Sequence, residues 1–222
     1  MSATIRIENE IAIITMDDGK ANAITPSMIK AIHDCLDEAE ANAKAVILTG
    51  REGRFSAGFD LNLLNGSSDE DLNLLVNGGG ALALRLYRFP MPVIAACNGH
   101  AIAMGGFLLL GSDMRIGVDG DFKIGINETQ LGVGMPPFGI EFPKARLQPS
   151  YMTEAVVNGT LFNPQDALKA GFLDKVTSAE SLMKEALAEA NRVKGLTGPA
   201  YARNKFLARQ CTIEAIEPTL SQ

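Results

Sequence analysis

The residues best suited to chemistry lie in two short loops rich in small side chains. The first is Arg54-Phe55-Ser56-Ala57-Gly58-Phe59-Asp60-Leu61, and the second is Asn98-Gly99-His100-Ala101-Ile102-Ala103-Met104-Gly105-Gly106-Phe107. Small residues let a ligand approach the main chain, and a helix start leaves unpaired N–H groups pointing outward. Brought together, two such loops offer two donors to one oxygen atom, which stabilises negative charge developing on a carbonyl. The same glycines would equally serve turns and tight helix packing. A third segment, residues 124–137, places Glu128 among Ile, Leu, Val and Met. Desolvation there would raise its pKa toward the range of a general base, whereas an exposed glutamate would simply cap a short helix.

What is missing narrows the chemistry further. The chain has no GxSxG elbow, no Walker loop and no GxGxxG behind a strand, and its two histidines, His33 and His100, cannot make a His-rich metal site. A net charge of −6 without a basic stripe argues against a nucleic-acid partner. Cys35, Cys97 and Cys211 are odd in number and form no CxxC pair, which fits a reduced, cytoplasmic setting. From Phe89 to Ser112 no charged residue occurs, but Pro90, Pro92, Asn98, Gly99, Gly105 and Gly106 interrupt the run. It reads as a buried strand, a loop and a buried helix rather than a membrane span.

Elements must then position the loops. Ile5–Ile7 and Ile11–Met16 predict an opening hairpin, and Thr25-Pro26 predicts a capped helix with Met28, Ile29, Ile32, Leu36 and Ala39 on its apolar face. Residues 45–50 and 93–97 read as buried strands, and 69–88 as a helix in spite of Gly78-Gly79-Gly80. Strand patterning resumes at 114–118 and 121–124. After about residue 137 short helices at 151–158 and 164–170, a longer one capped by Ser178, a hinge at 195–199 and a last helix over 199–216 are expected. The fold class is α/β with a helical C-terminal extension.

With these segments in place, Phe55–Leu61 resembles the first signature of the crotonase (enoyl-CoA hydratase/isomerase) superfamily, and Asn98–Gly106 resembles the second. Residues 167–176 resemble a later Ala…Gly-Leu-Val-Asp segment, and the likeness runs from the hairpin to about residue 195. The resemblance implies a spiral of ββα units with trimerisation helices over 1–195, a C-terminal helix over 196–222, and a homotrimer or dimer of trimers. It implies an acyl-CoA substrate, no separate cofactor and no metal. The N–H groups of Ala57 and Met104 would form the oxyanion hole. Ser56, Asp60, Leu61, Gly105 and Phe107 would lie along the substrate, and Lys20 along the CoA nucleotide. Lys205 would reach a CoA phosphate.

Hydratases of this kind carry two glutamates. Here Phe107 stands where the first would fall, and Glu128 stands at the second. Adding water needs one group to activate it and another to deliver a proton, which suits two carboxylates. Moving a double bond needs one base that takes a proton from C2 and returns it at C4. Asn127–Gly132 also resembles Δ3,Δ2-enoyl-CoA isomerases, so that isomerisation is the expected activity. A hydratase, a thioester hydrolase using His100, and a non-catalytic acyl-CoA- or RNA-binding protein are the alternatives.

Overall fold

The structure, a computed structural model, describes residues 2–66 and 68–220. The chain opens with β1 (Ala3–Glu8) and β2 (Ile11–Met16), antiparallel with Ala3 opposite Met16. Asn9 and Glu10 between them both have positive φ, 49° and 63°, the backbone of a two-residue hairpin turn that matches strand twist. Then come β3 (Ala23–Ile24), α1 (Pro26–Asn42), β4 (Ala45–Thr49), β5 (Gly53–Ser56), β6 (Gly58–Phe59), α2 (Leu61–Gly66) and α3 (Asp69–Arg88). The Thr25 hydroxyl accepts the Met28 N–H at 3.1 Å and so starts α1 as the sequence predicts.

The second unit is β7 (Val93–Cys97), β8 (Gly99–Ile102), α4 (Met104–Gly111), β9 (Met114–Val118) and β10 (Ile124–Gly125). The helical region holds α5 (Pro137–Arg146), α6 (Pro164–Ala170), β11 (Lys175–Thr177), α7 (Ala179–Val193) and α8 (Pro199–Ile216). A six-stranded sheet runs β1-β2-β4-β7-β9-β11, parallel from β2 onward, beside a three-stranded sheet β10-β8-β5 and the pair β3-β6. Two buried clusters fill the space on either side of the large sheet. Ala12, Ile14, Val46, Leu48, Val93 and Ala95 face one, and Ile11, Ile13, Ala45, Ile47, Ile94 and Ala96 face the other. That alternation is why these short strands read as continuous apolar runs.

Three local expectations change. Of the 121–124 run only Ile124 lies in a strand, which extends to Gly125, because Phe122 N–H turns back to Gly120 O at 2.9 Å and Lys123 N–H is taken by His100 Nδ1 at 3.0 Å. After residue 137 one short strand, β11, remains among the described residues and adds to β9. The helix expected at 151–158 is a tight 3₁₀ turn at Pro149–Tyr151 followed by a π-turn at Thr153–Val157. Ser178 precedes α7 but makes no cap bond, its hydroxyl going to Ser181 Oγ at 3.3 Å. The three glycines of α3 are accommodated by bulky neighbours. A Cβ on Gly79 would stand 2.5 Å from the Phe59 ring, and one on Gly80 would stand 2.6 Å from Phe138.

Candidate active site

The first loop is organised by Asn22, a fully buried residue that the sequence reading did not single out. Its side-chain amide donates to Met16 O at 2.9 Å, Arg54 O at 3.0 Å and Phe55 O at 3.3 Å. Its own carbonyl accepts the Ser56 hydroxyl at 2.8 Å, and Ser56 Oγ in turn accepts Gly58 N–H at 3.2 Å. Ser56 is therefore buried scaffolding rather than a substrate contact. Ala57 also requires correction. Its N–H donates to Ala21 O at 3.0 Å, along the edge where β6 joins β3, and is not free for a thioester oxygen.

The second loop ends at the start of α4. The Ala103 carbonyl accepts both Gly106 N–H at 2.8 Å and Phe107 N–H at 3.2 Å. The two amides ahead of them, Met104 and Gly105, fall in the first turn, where a helix provides no acceptor. The loops meet directly. A Cβ on Gly58 would lie 2.8 Å from the Ala103 Cβ and 3.3 Å from Met104 N, and one on Gly105 would lie 2.5 Å from Ser56 O. Only glycine allows this approach, and at Gly58 a φ of 88° excludes other residues as well.

Glu128 opens a 3₁₀ turn, Glu128–Leu131. The following side chains pin this turn to the neighbouring π-turn: Thr129 Oγ1 donates to Val156 O at 3.1 Å and Gln130 Nε2 to Asn158 O at 3.3 Å. These two carbonyls lie at the C-terminal end of that turn, where a helix leaves C=O groups without internal partners, and Thr129 and Gln130 reach them. Glu128 is partly exposed as a residue, yet its Oε2 is buried without a partner, as is Oδ1 of Asn127. Burial pushes the Glu128 pKa up to about 7, a bond from backbone N–H opposing it only in part. A carboxyl so poised exchanges protons at neutral pH.

Phe107 is buried on α4 and packs edge-to-face on Phe138 with ring centroids 5.2 Å apart. Asp60 turns inward to its own loop, Oδ1 accepting Asn62 N–H at 2.8 Å, while Leu61 is 60% exposed. Lys20 is exposed on its loop. Lys205 is a third correction. It is buried, and its Nζ lies 2.6 Å from Asp113 Oδ2 and 3.2 Å from Met91 O, so it holds α8 to the body and does not reach outward to a phosphate. His100 sits on β8 with its Nδ1 spent on Lys123 and its ring against Phe122. Burial, with Arg54 and Lys123 nearby, keeps its pKa below the ordinary value. Among the described residues no three His, Cys, Asp or Glu side chains are grouped as metal ligands, and no helix is long and apolar enough to cross a membrane.

A cavity of about 750 Å³ lies elsewhere, at the ends of β2 and β4 under α7, lined by Thr15, Thr49, Asn98, Glu180 and Met183. A groove of about 610 Å³ between α1 and α3, lined by Ile29, His33, Leu63, Leu74, Leu75 and Gly78, lies closer to the site. Gly79, the next residue of α3, backs onto Phe59 and the Met104 sulfur.

Two glycine loops joined over a helix start, bonded to the strand that leads to one desolvated carboxyl on a ββα spiral, define an enzyme of the crotonase superfamily. The chain belongs to the enoyl-CoA hydratase/isomerase family, whose model matches residues 6–207. It is similar over its whole length to the crystal structure of an enoyl-CoA hydratase/isomerase family protein from Pseudomonas syringae, at 41% identity and TM-score 0.96, covering 96% of that chain. A Mycobacterium tuberculosis protein, described in one solved structure as an enoyl-CoA isomerase and in another as a probable enoyl-CoA hydratase, matches 99% of this chain and 96% of its own at 35% identity and TM-score 0.94. A carnitinyl-CoA dehydratase from Proteus mirabilis is 32% identical over 212 residues, 92% of this chain and 78% of that protein.

Proposed function

We propose that this protein is a Δ3,Δ2-enoyl-CoA isomerase, with Glu128 as its single proton carrier. The observation that carries the reading is the pairing of a desolvated Glu128 with a phenylalanine, Phe107, one turn into α4. Glu128 supplies a base whose pKa suits neutral pH, and Phe107 puts a ring where a second carboxylate would have to stand.

In this reading the Glu128 carboxylate takes a proton from C2 of a 3-enoyl thioester. The C–H electron pair moves into the C2–C1 bond, and the carbonyl pair moves onto the thioester oxygen. Met104 N–H faces that oxygen. The donor from the first loop is assigned to Phe59, the first amide past Ala57 and Gly58, whose N–H groups are spent. Protonated Glu128 then returns the proton at C4, and the double bond is left between C2 and C3, conjugated with the carbonyl. No water enters the balance. Coenzyme A takes part as the carrier half of the substrate, with Lys20 on the loop assigned to its nucleotide. The active assembly is a homotrimer, and the exposed Val157, Leu196, Phe206 and Leu207 of the helical region are apolar surface available to it.

The test is to incubate the pure protein with 3-enoyl-CoA and, separately, with 2-enoyl-CoA, following conjugated-enone absorbance and product masses. Conversion of 3-enoyl- to 2-enoyl-CoA without gain of water supports the reading. Brisk hydration of 2-enoyl-CoA with no action on 3-enoyl-CoA would overturn it.

A further inference from the structure

Ala103 holds a backbone conformation that an L-residue rarely adopts, with φ 52° and ψ −118°. Such a conformation persists only where the surroundings over-determine it, and here they do so from three sides. Ala103 N–H donates to Gly125 O at 2.9 Å, which ties it to the strand leading to Glu128. Its carbonyl is held by Gly106 N–H and Phe107 N–H. Its methyl group occupies the space that a side chain on Gly58 would need, 2.8 Å from that position.

The Ala103 carbonyl and the Met104 N–H belong to one planar peptide unit and point in opposite directions. Two helix amides pull the carbonyl inward along α4, so the Met104 N–H is turned out of the helix start. The ψ of Ala103 is the torsion that sets this direction. If the residue relaxed to an ordinary extended or helical backbone, the plane would rotate and carry the Met104 N–H with it. We propose that Ala103 is a positioning residue, whose strained conformation aims the Met104 N–H at the substrate carbonyl and couples that aim to the placement of Glu128. This rests on the enolate reading above for its catalytic consequence, but not for the strain itself.

The experiment compares Ala103→Gly and Ala103→Val. Glycine adopts positive φ without steric cost, so Ala103→Gly should melt about 2–4 °C above wild type. A β-branched residue tolerates positive φ worst. Ala103→Val should relax the turn and lose about 10²-fold in kcat, the scale of one lost oxyanion donor, with KM for acyl-CoA changed less than about threefold. Ala103→Gly should recover most of that kcat. A lower melting temperature for Ala103→Gly overturns the strain argument, and a folded Ala103→Val with wild-type kcat overturns the aiming argument. If Ala103→Val does not fold, the Met104 amide resonance of wild-type protein decides. It should shift with an acyl-CoA thioester and not with the thioether analogue lacking the carbonyl, and equal shifts overturn the proposal. A thioester-specific shift and a stabilised Ala103→Gly in a protein that isomerises nothing would instead reject the isomerase reading and leave Ala103 in place.

Discussion

Ala103 N–H donates to Gly125 O at 2.9 Å, and this bond joins the helix start carrying Met104 to the strand that delivers Glu128 three residues later. On the proposed reading, this bond links donor and base although they lie on separate elements. Gly125 has φ 153°, and a Cβ there would stand 2.8 Å from Thr160 O. Gly125→Ala should displace the strand, cost about 1–3 kcal/mol of stability, and lower kcat more than it raises KM. Thermal melts with steady-state kinetics check both halves. A stable variant with unchanged kcat would uncouple the two groups.

Glu128→Gln keeps shape and hydrogen bonding but cannot carry a proton. Isomerisation should fall by at least about 10²-fold while acyl-CoA binding persists, because general acid–base catalysis supplies roughly 10²–10⁴ and one group here serves both transfers. The same substitution has a signature in stability. Burial raises the folded pKa to about 7, so between the ordinary carboxylate pKa and pH 7 the folded state holds more protons than the unfolded one. Stability is lost as pH rises through that window, by up to about 3 kcal/mol. Glu128→Gln should match wild type at pH 4 and melt higher than wild type at pH 8. Parallel melting curves across this range would mean that Glu128 is not desolvated.

Phe107→Glu tests why one carboxylate should mean isomerisation. The new side chain would lose the edge-to-face contact with Phe138 and bury a carboxyl in apolar surroundings. That costs about 1–3 kcal/mol or more, and the group will hold its proton to a raised pH. If it folds, the variant should gain trace hydration of 2-enoyl-CoA, detected as a product heavier by one water. A folded variant with no hydration would show that position 107 does not decide between the two reactions.

The elements legible in the sequence were those set by local rules. Thr25-Pro26 announces α1, and the uncharged runs announce β4 and β7. Glu128 among apolar neighbours announced a desolvated carboxyl, and the raised pKa agrees. Ala57 was misassigned because a motif gives spacing but not which amides a neighbouring strand consumes. Ala21 O lies 36 residues away in sequence and 3.0 Å away in space. Asn22 was overlooked for the same reason, since two of its three carbonyl partners, Arg54 and Phe55, come from a distant segment. Lys205 misled because the family likeness that set it at a CoA phosphate does not reveal Asp113 beside it. The π-turn at Thr153–Val157 has no sequence signature short of its tertiary bonds to Thr129 and Gln130.

The ion pairs beneath α8 yield the last prediction, which separates a structural Lys205 from one that binds coenzyme A. Asp113 accepts from several sides. Its Oδ2 takes Val93 N–H at 2.7 Å and Lys205 Nζ at 2.6 Å, and Arg209 lies 2.8 Å from Oδ1. The two cations therefore depend on one carboxylate, and removing each partner should have unequal effects. Asp113→Asn leaves Lys205 and Arg209 largely buried without a countercharge and should cost about 3–5 kcal/mol. Lys205→Met fills a similar volume and leaves Asp113 paired with Arg209, so its cost should be much smaller. Burial, only partly offset by Asp113, pushes the Lys205 pKa down to about 8. Between pH 8 and the ordinary lysine pKa the unfolded state therefore binds the extra proton, and this group makes stability rise with pH across that window. Lys205→Met should abolish that rise. In both variants KM for acyl-CoA should stay near the wild-type value. A Lys205→Met protein with an unchanged melting profile and a sharply raised KM would return Lys205 to the coenzyme A site.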